Sequence, residues 1–134
     1  MNRLMWKGTG LASNPLPTVP NTRPYARGDI WDVDWEPHHG HEQGGRRPTL
    51  IISANFVNQG RAGFVIALPL TRTERGVPSH IRVTPPEGGL TATSFILCEQ
   101  IRTLDLSRFV QRRGAVSPQT LAAVEESLRR LLVL

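Results

Sequence analysis

The residue types and spacing best suited to chemistry in this 134-residue chain lie in Glu42-Gln43-Gly44-Gly45-Arg46-Arg47-Pro48. The two glycines remove side chains where a ligand would approach the backbone. Arg47 precedes a proline and is biased towards extended backbone. A planar guanidinium held there can grip a phosphate through two parallel hydrogen bonds; the alternative is a hairpin loop carrying a solvated arginine pair. A second stretch, Pro69-Leu70-Thr71-Arg72, ends an apolar run. Its threonine can donate to a phosphate oxygen beside Arg72, or simply end a strand. His80 has the titration range for acid–base work, or a plain place at a strand edge. His38, His39 and His41 share one turn, but adjacent side chains point apart and no cysteine is near, so no metal site is expected. Cys98 lies in an apolar run without an adjacent base and reads as a buried, inert thiol. The sequence has no P-loop, dinucleotide fingerprint, nucleophile elbow or metalloprotease helix.

Such residues need elements to hold them. Residues 30–35 alternate, with Trp31, Val33 and Trp35 on one face and Ile30, Asp32 and Asp34 on the other, the period of a strand. Residues 50–53 and 64–68 are short apolar runs of the central-strand kind, joined by a loop rich in Asn and Gly. Residues 80–84 alternate until Pro85-Pro86, and residues 95–98 form a further strand continuing towards Ile101. Ser117-Pro118 is an N-cap with a first-turn proline. Leu121, Val124, Leu128, Leu131 and Leu132 then recur at helical spacing. The prediction is a mainly β fold, a bent sheet or partly open barrel, with a C-terminal helix packed on it. Residues 1–26 hold four of the 11 prolines and show no periodicity, which predicts a flexible leader before a folded domain over 27–134.

Charge narrows the partners. The net charge is +5, which points to an anionic partner. From Gly44 to Arg82 six arginines face one acid, Glu74, whereas residues 29–36 carry four acids and no base. One cysteine excludes a disulfide framework and multi-cysteine zinc modules. No apolar run approaches the ~20 residues that span a bilayer, and no secretory signal opens the chain. No membrane role and a cytoplasmic location are expected.

Four blocks together resemble the MazF/PemK family of toxin endoribonucleases. They are Arg27-Gly-Asp-Ile-Trp31, Glu42-Gln-Gly-Gly-Arg-Arg-Pro48, Pro69-Leu-Thr71 and Cys98-Glu-Gln-Ile-Arg-Thr-Leu-Asp105. They stand in the family's order and spacing over residues 27–134. The resemblance implies a small SH3-like, PemK-type β-barrel that forms a homodimer and grips single-stranded RNA. It also implies cleavage at a short motif by attack of the 2′-OH without metal or cofactor, and neutralisation by a cognate MazE-like antitoxin. Arg47 and Thr71 would contact the scissile phosphate, with Glu42 as base or as orienter of Arg47. Gln43, Gly44, Gly45, Arg46, Arg72, His80 and Gln100 would bind substrate or support the site, and Trp35, Phe56 and Arg72 are candidates for contacts to bases. The alternative is a non-catalytic toxin of the same fold that binds a protein target such as DNA gyrase; the Arg47/Thr71 pair favours cleavage. Removing residues 1–24 is expected to leave melting temperature and RNA cleavage essentially unchanged, which thermal denaturation and a cleavage assay on the truncated chain would check.

Overall fold

Apolar runs and polar segments alike are drawn into one antiparallel sheet. The computed structural model describes residues 24–36, 40 and 45–134. Its strands are β1 (Asp29–Asp34), β2 (Arg46–Ile51), β3 (Phe64–Thr71), β4 (His80–Val83), β5 (Ser94–Leu97), β6 (Arg102–Asp105) and β7 (Phe109–Ala115). A single-turn helix, α1 (Asn55–Asn58), links β2 to β3, and α2 (Pro118–Leu132) follows β7. Strand order is β4-β5-β3-β2-β1-β7, and β6 also pairs with β3. β3 is the hub: β2 runs along one edge, while β6 takes the first half of the other edge and β5 the second. The sheet curls without closing. Ile30 of β1 and Val83 of β4 share one apolar cluster although three strands separate them in the sheet.

The two faces of the curled sheet are separately packed. Ile30, Leu50, Leu68, Leu70 and Ile96 form one cluster under Val124 and Leu128 of α2. Trp31, Val33, Trp35, Val65 and Leu104 form the other. Each fully buried aliphatic side chain contributes about 1.5–3 kcal/mol. The alternation over 31, 33 and 35 thus lands on one face as its pattern predicts. Tyr25, counted with the leader by composition, joins this second cluster, its ring 4.8 Å from that of Trp31 and 5.4 Å from that of Phe109.

Three elements differ from the sequence reading. β2 starts at Arg46, four residues ahead of the apolar run, because Arg46 and Arg47 are held opposite Asp34 and Val33 of β1. Residues 95–101 are not one strand: a 3-10 turn over Cys98–Gln100 breaks the run, and β6 begins at Arg102. β7 carries no clean alternation, since its register against β1 slips twice.

The helix is fixed at its start and along its length. Ser117 Oγ accepts from the Thr120 backbone N–H at 3.1 Å, and Glu87 accepts from the Ser117 N–H at 2.9 Å. Arg27 reaches across from the start of β1 to pair with Glu125 of α2 and to donate to the Ile52 carbonyl.

The 3-10 turn before β5 lies hard against β7. Gly89 has a φ of +69°, and a Cβ there would meet the Arg113 carbonyl oxygen at 2.0 Å. Positive φ is strained for an L side chain, and the clash is with backbone. Gly89→Ala is therefore expected to cost more than about 2 kcal/mol, readable as a fall of several degrees in melting temperature.

Candidate active site

Strand register brings the chemistry-bearing residues together. β2 and β3 pair as Thr49 with Pro69 and Leu50 with Leu68. Beyond the last of these pairs, Arg47 at the start of β2 and Thr71 at the end of β3 line one cavity. Arg47 Nη1 donates to the Leu70 carbonyl at 3.1 Å, and burial pushes the guanidinium pKa below its ordinary value. The Arg47 backbone is tied down from beneath. Thr49 Oγ1 donates to the Arg47 carbonyl at 3.2 Å and accepts from Trp35 Nε1 at 2.7 Å. Trp35 is only 1% exposed, so it serves as an anchor for this chain of bonds and presents no face on which a base could stack. Its expected place among the base contacts is corrected by that burial.

Thr71 has a hydroxyl placed to face a ligand. Its Oγ1 accepts from the Thr73 N–H at 3.2 Å, which leaves the hydroxyl hydrogen for another acceptor. Around the pair lies an open cavity of about 510 Å³. Arg46, Arg47 and Pro48 of β2 line it, with Leu70, Thr71, Arg72 and Thr73 from the end of β3, Ser94 of β5, Asp32 of β1 and Arg113 of β7. Among the described residues, four guanidinium groups stand against one carboxylate, a balance that suits an anion. Gly45 closes the approach to β2 at a φ of +74°; its N–H donates to Glu36 Oε1 and its carbonyl accepts from the Trp35 N–H, both at 2.9 Å.

The other expected residues are placed differently. Glu42, Gln43 and Gly44 lie outside the described residues, as do His38, His39 and His41. His80 and Gln100 do not line the cavity. The His80 side chain is 5% exposed and sits 2.7 Å from Glu99 through Nε2. Ser79 Oγ donates to the other Glu99 oxygen at 2.7 Å, and Ser127 of α2 donates to the Ser79 carbonyl at 3.2 Å. This network braces β4, the 3-10 turn and α2. Phe56 is exposed on α1, away from the cavity. Cys98 is buried, and that burial raises its thiol pKa. Sequence reasoning missed Asp32, Ser94 and Arg113 as lining residues. Asp32 does stand on the polar face of the first predicted strand, whereas nothing local marks Arg113.

The fold recurs in known proteins. The family model of the PemK-like, MazF-like toxins of type II toxin–antitoxin systems matches residues 26–132. The chain belongs to that family. It is 31% identical over 109 residues to endoribonuclease EndoA of Bacillus subtilis (strain 168), covering 81% of this chain and 94% of that one. The crystal structure of MazF from Deinococcus radiodurans superposes with a TM-score of 0.73 at 29% identity, covering 88% of this chain and all of that one. An endoribonuclease from a Mycobacterial species, solved in complex with its cognate antitoxin, gives a TM-score of 0.69 at 27% identity, covering 82% of this chain and 96% of that one.

The brace at Glu99 has a pH signature. Burial alone would raise the Glu99 carboxyl pKa, but hydrogen bonds from His80 and Ser79 outweigh it and hold the value below the usual 4.5. A carboxylate with a lowered folded-state pKa contributes stability that is present above its unfolded pKa and lost as pH falls through the folded one. Glu99→Gln is expected to cost about 1 kcal/mol at neutral pH and to flatten part of the stability loss between about pH 5 and pH 3. Urea denaturation of both proteins across that range is the measurement.

Proposed function

We propose that this protein is a metal-independent endoribonuclease toxin that cuts single-stranded RNA at a short motif by attack of the 2′-OH on the adjacent phosphorus. The observation that carries this reading is that Arg47 of β2 and Thr71 of β3 line the same arginine-rich cavity. The likeness to endoribonuclease EndoA and to MazF toxins supports it.

The residues divide the work as follows. The scissile phosphate lies between Arg47 and Thr71. The Thr71 hydroxyl donates to a non-bridging oxygen, and the Arg47 guanidinium neutralises the charge that builds on the five-coordinate phosphorus. The 2′-oxygen forms a bond to phosphorus as the bond to the 5′-oxygen breaks, giving a 2′,3′-cyclic phosphate and a 5′-OH. A base must take the 2′-OH proton and an acid must supply the leaving oxygen; Glu42 is assigned the base, or the orienting of Arg47. Arg47 is also assigned the acid: an N–H hydrogen-bonds the departing 5′-oxygen and passes it the proton, which the guanidine regains from solvent. Gln43, Gly44, Gly45, Arg46 and Arg72 are assigned to guiding the strand, and His80 and Gln100, which do not line the cavity, to supporting the fold around it. The working assembly is taken to be a homodimer, held in check by an antitoxin of the MazE kind.

Long mixed-sequence RNA incubated in excess EDTA, with new 5′ ends mapped, tests this reading. The wild type is expected to cut at one short motif. Arg47→Ala should fold normally and lose at least about 100-fold in rate, the scale of one lost charge-stabilising donor. Absence of cutting by folded, antitoxin-free wild type, or full activity in Arg47→Ala, would overturn it.

A further inference from the structure

The cavity has a second wall that the chemistry above leaves unused. Along β1 and β7, Ile30 faces Gly114 while Trp31 faces Arg112, so Arg113 is an extra residue on β7. Such a bulge re-aims a side chain. The Arg113 guanidinium reaches the cavity wall, where Nη1 donates to Asp32 Oδ1 at 3.1 Å and Nη2 to the Gly89 carbonyl at 3.4 Å. The two side chains are 22% and 25% exposed. An ion pair this close to solvent contributes about 1 kcal/mol or less. Stability alone is a weak reason for a carboxylate inside an otherwise cationic anion site.

Hydrogen-bond chemistry identifies the ligand. A phosphate offers only acceptors and is repelled by the Asp32 carboxylate, so this wall is a poor phosphate seat. A carboxylate oxygen beside guanidinium N–H groups sets an acceptor next to donors. That arrangement complements the edge of a nucleobase, which is neutral and carries both kinds of group. Bases of single-stranded RNA expose those edges. Asp32 is opposite Pro48, the neighbour of Arg47, and β7 lies two strand spacings from β2, about 10 Å on a flat sheet. That distance suits a nucleotide adjoining the one whose phosphate rests on Arg47.

We propose that Asp32 and Arg113 form a base-reading wall that selects one base of the cleavage motif, next to the cut bond. Asp32 accepts from a ring N–H or exocyclic amine, and Arg113 donates to the neighbouring carbonyl or ring nitrogen. The proposal rests on the endoribonuclease reading, and the two fail separately: if the wild type cuts no RNA, that reading falls before the wall is tested.

Cleavage sites of wild type, Asp32→Asn and Arg113→Gln are mapped on the same mixed-sequence RNA. Rates are then measured on oligonucleotides that differ at one position and across a range of salt concentrations. Both variants should cut, and the preference for the wild-type base at one and the same position should fall about fivefold to 100-fold, with the other positions unchanged. An unchanged motif in both variants would overturn the proposal. So would a uniform loss on every sequence with a shallower salt dependence, the signature of a phosphate contact. Thermal melting runs alongside; if neither variant folds, the pair is a structural brace and the proposal falls.

Discussion

Everything in the site hangs on the pairing of β2 with β3. That register fixes which residue of each strand stands opposite the other, and a slip of one residue would turn every side chain of β2 to the opposite face. Buried contacts on both sides hold the register. Leu50 and Leu68 pack into one cluster and Ile51 with Ala67 into the other, while the bonds from Trp35 through Thr49 to the Arg47 carbonyl lock the strand where it leaves the core. The precision that the proposed phosphate chemistry needs thus comes from the hydrophobic packing of buried residues.

A second constraint is the disposal of charge. The acids of β1 are spent largely on arginines of β7: Asp29, nearly buried, takes Arg112, and Asp32 takes Arg113. Among the described residues, the cavity that holds Arg46, Arg47 and Arg72 is lined by a single acid, Asp32. Arg112 thus ties β7 to β1, whereas Arg113, although paired with Asp32, also reaches the cavity lined by Arg46, Arg47 and Arg72.

Much of this was legible in the sequence, for identifiable reasons. The alternation over residues 30–35 and the capped helical period after Ser117 are local signals, and both elements formed where the pattern put them. The start of β2 was not legible, because Arg46-Arg47-Pro48 has no apolar period, and although the proline biases Arg47 to extended backbone, it is pairing with β1 that makes the segment a strand. β7 was hidden by its two register slips, since a bulge destroys the period of two on which strand reading depends. In the site, Arg47 and Thr71 were marked by motif, and the structure brings them together with Arg46 and Arg72. The lining role of Arg113 could not be read, since it depends on a bulge and on a partner 81 residues earlier. Trp35 looked available because tryptophans stack well, and only the three-dimensional packing shows it sealed beneath the site.

That long-range pairing bears on how the protein comes into being. β1 is made early and β7 late, yet the two share an extensive ladder, and Arg27 at the head of β1 is pinned to Glu125 in α2. Non-local pairings of this kind make folding slow and late. On the ribosome, the first strand must wait for the last, and the cationic cleft has no complete wall until β7 has emerged.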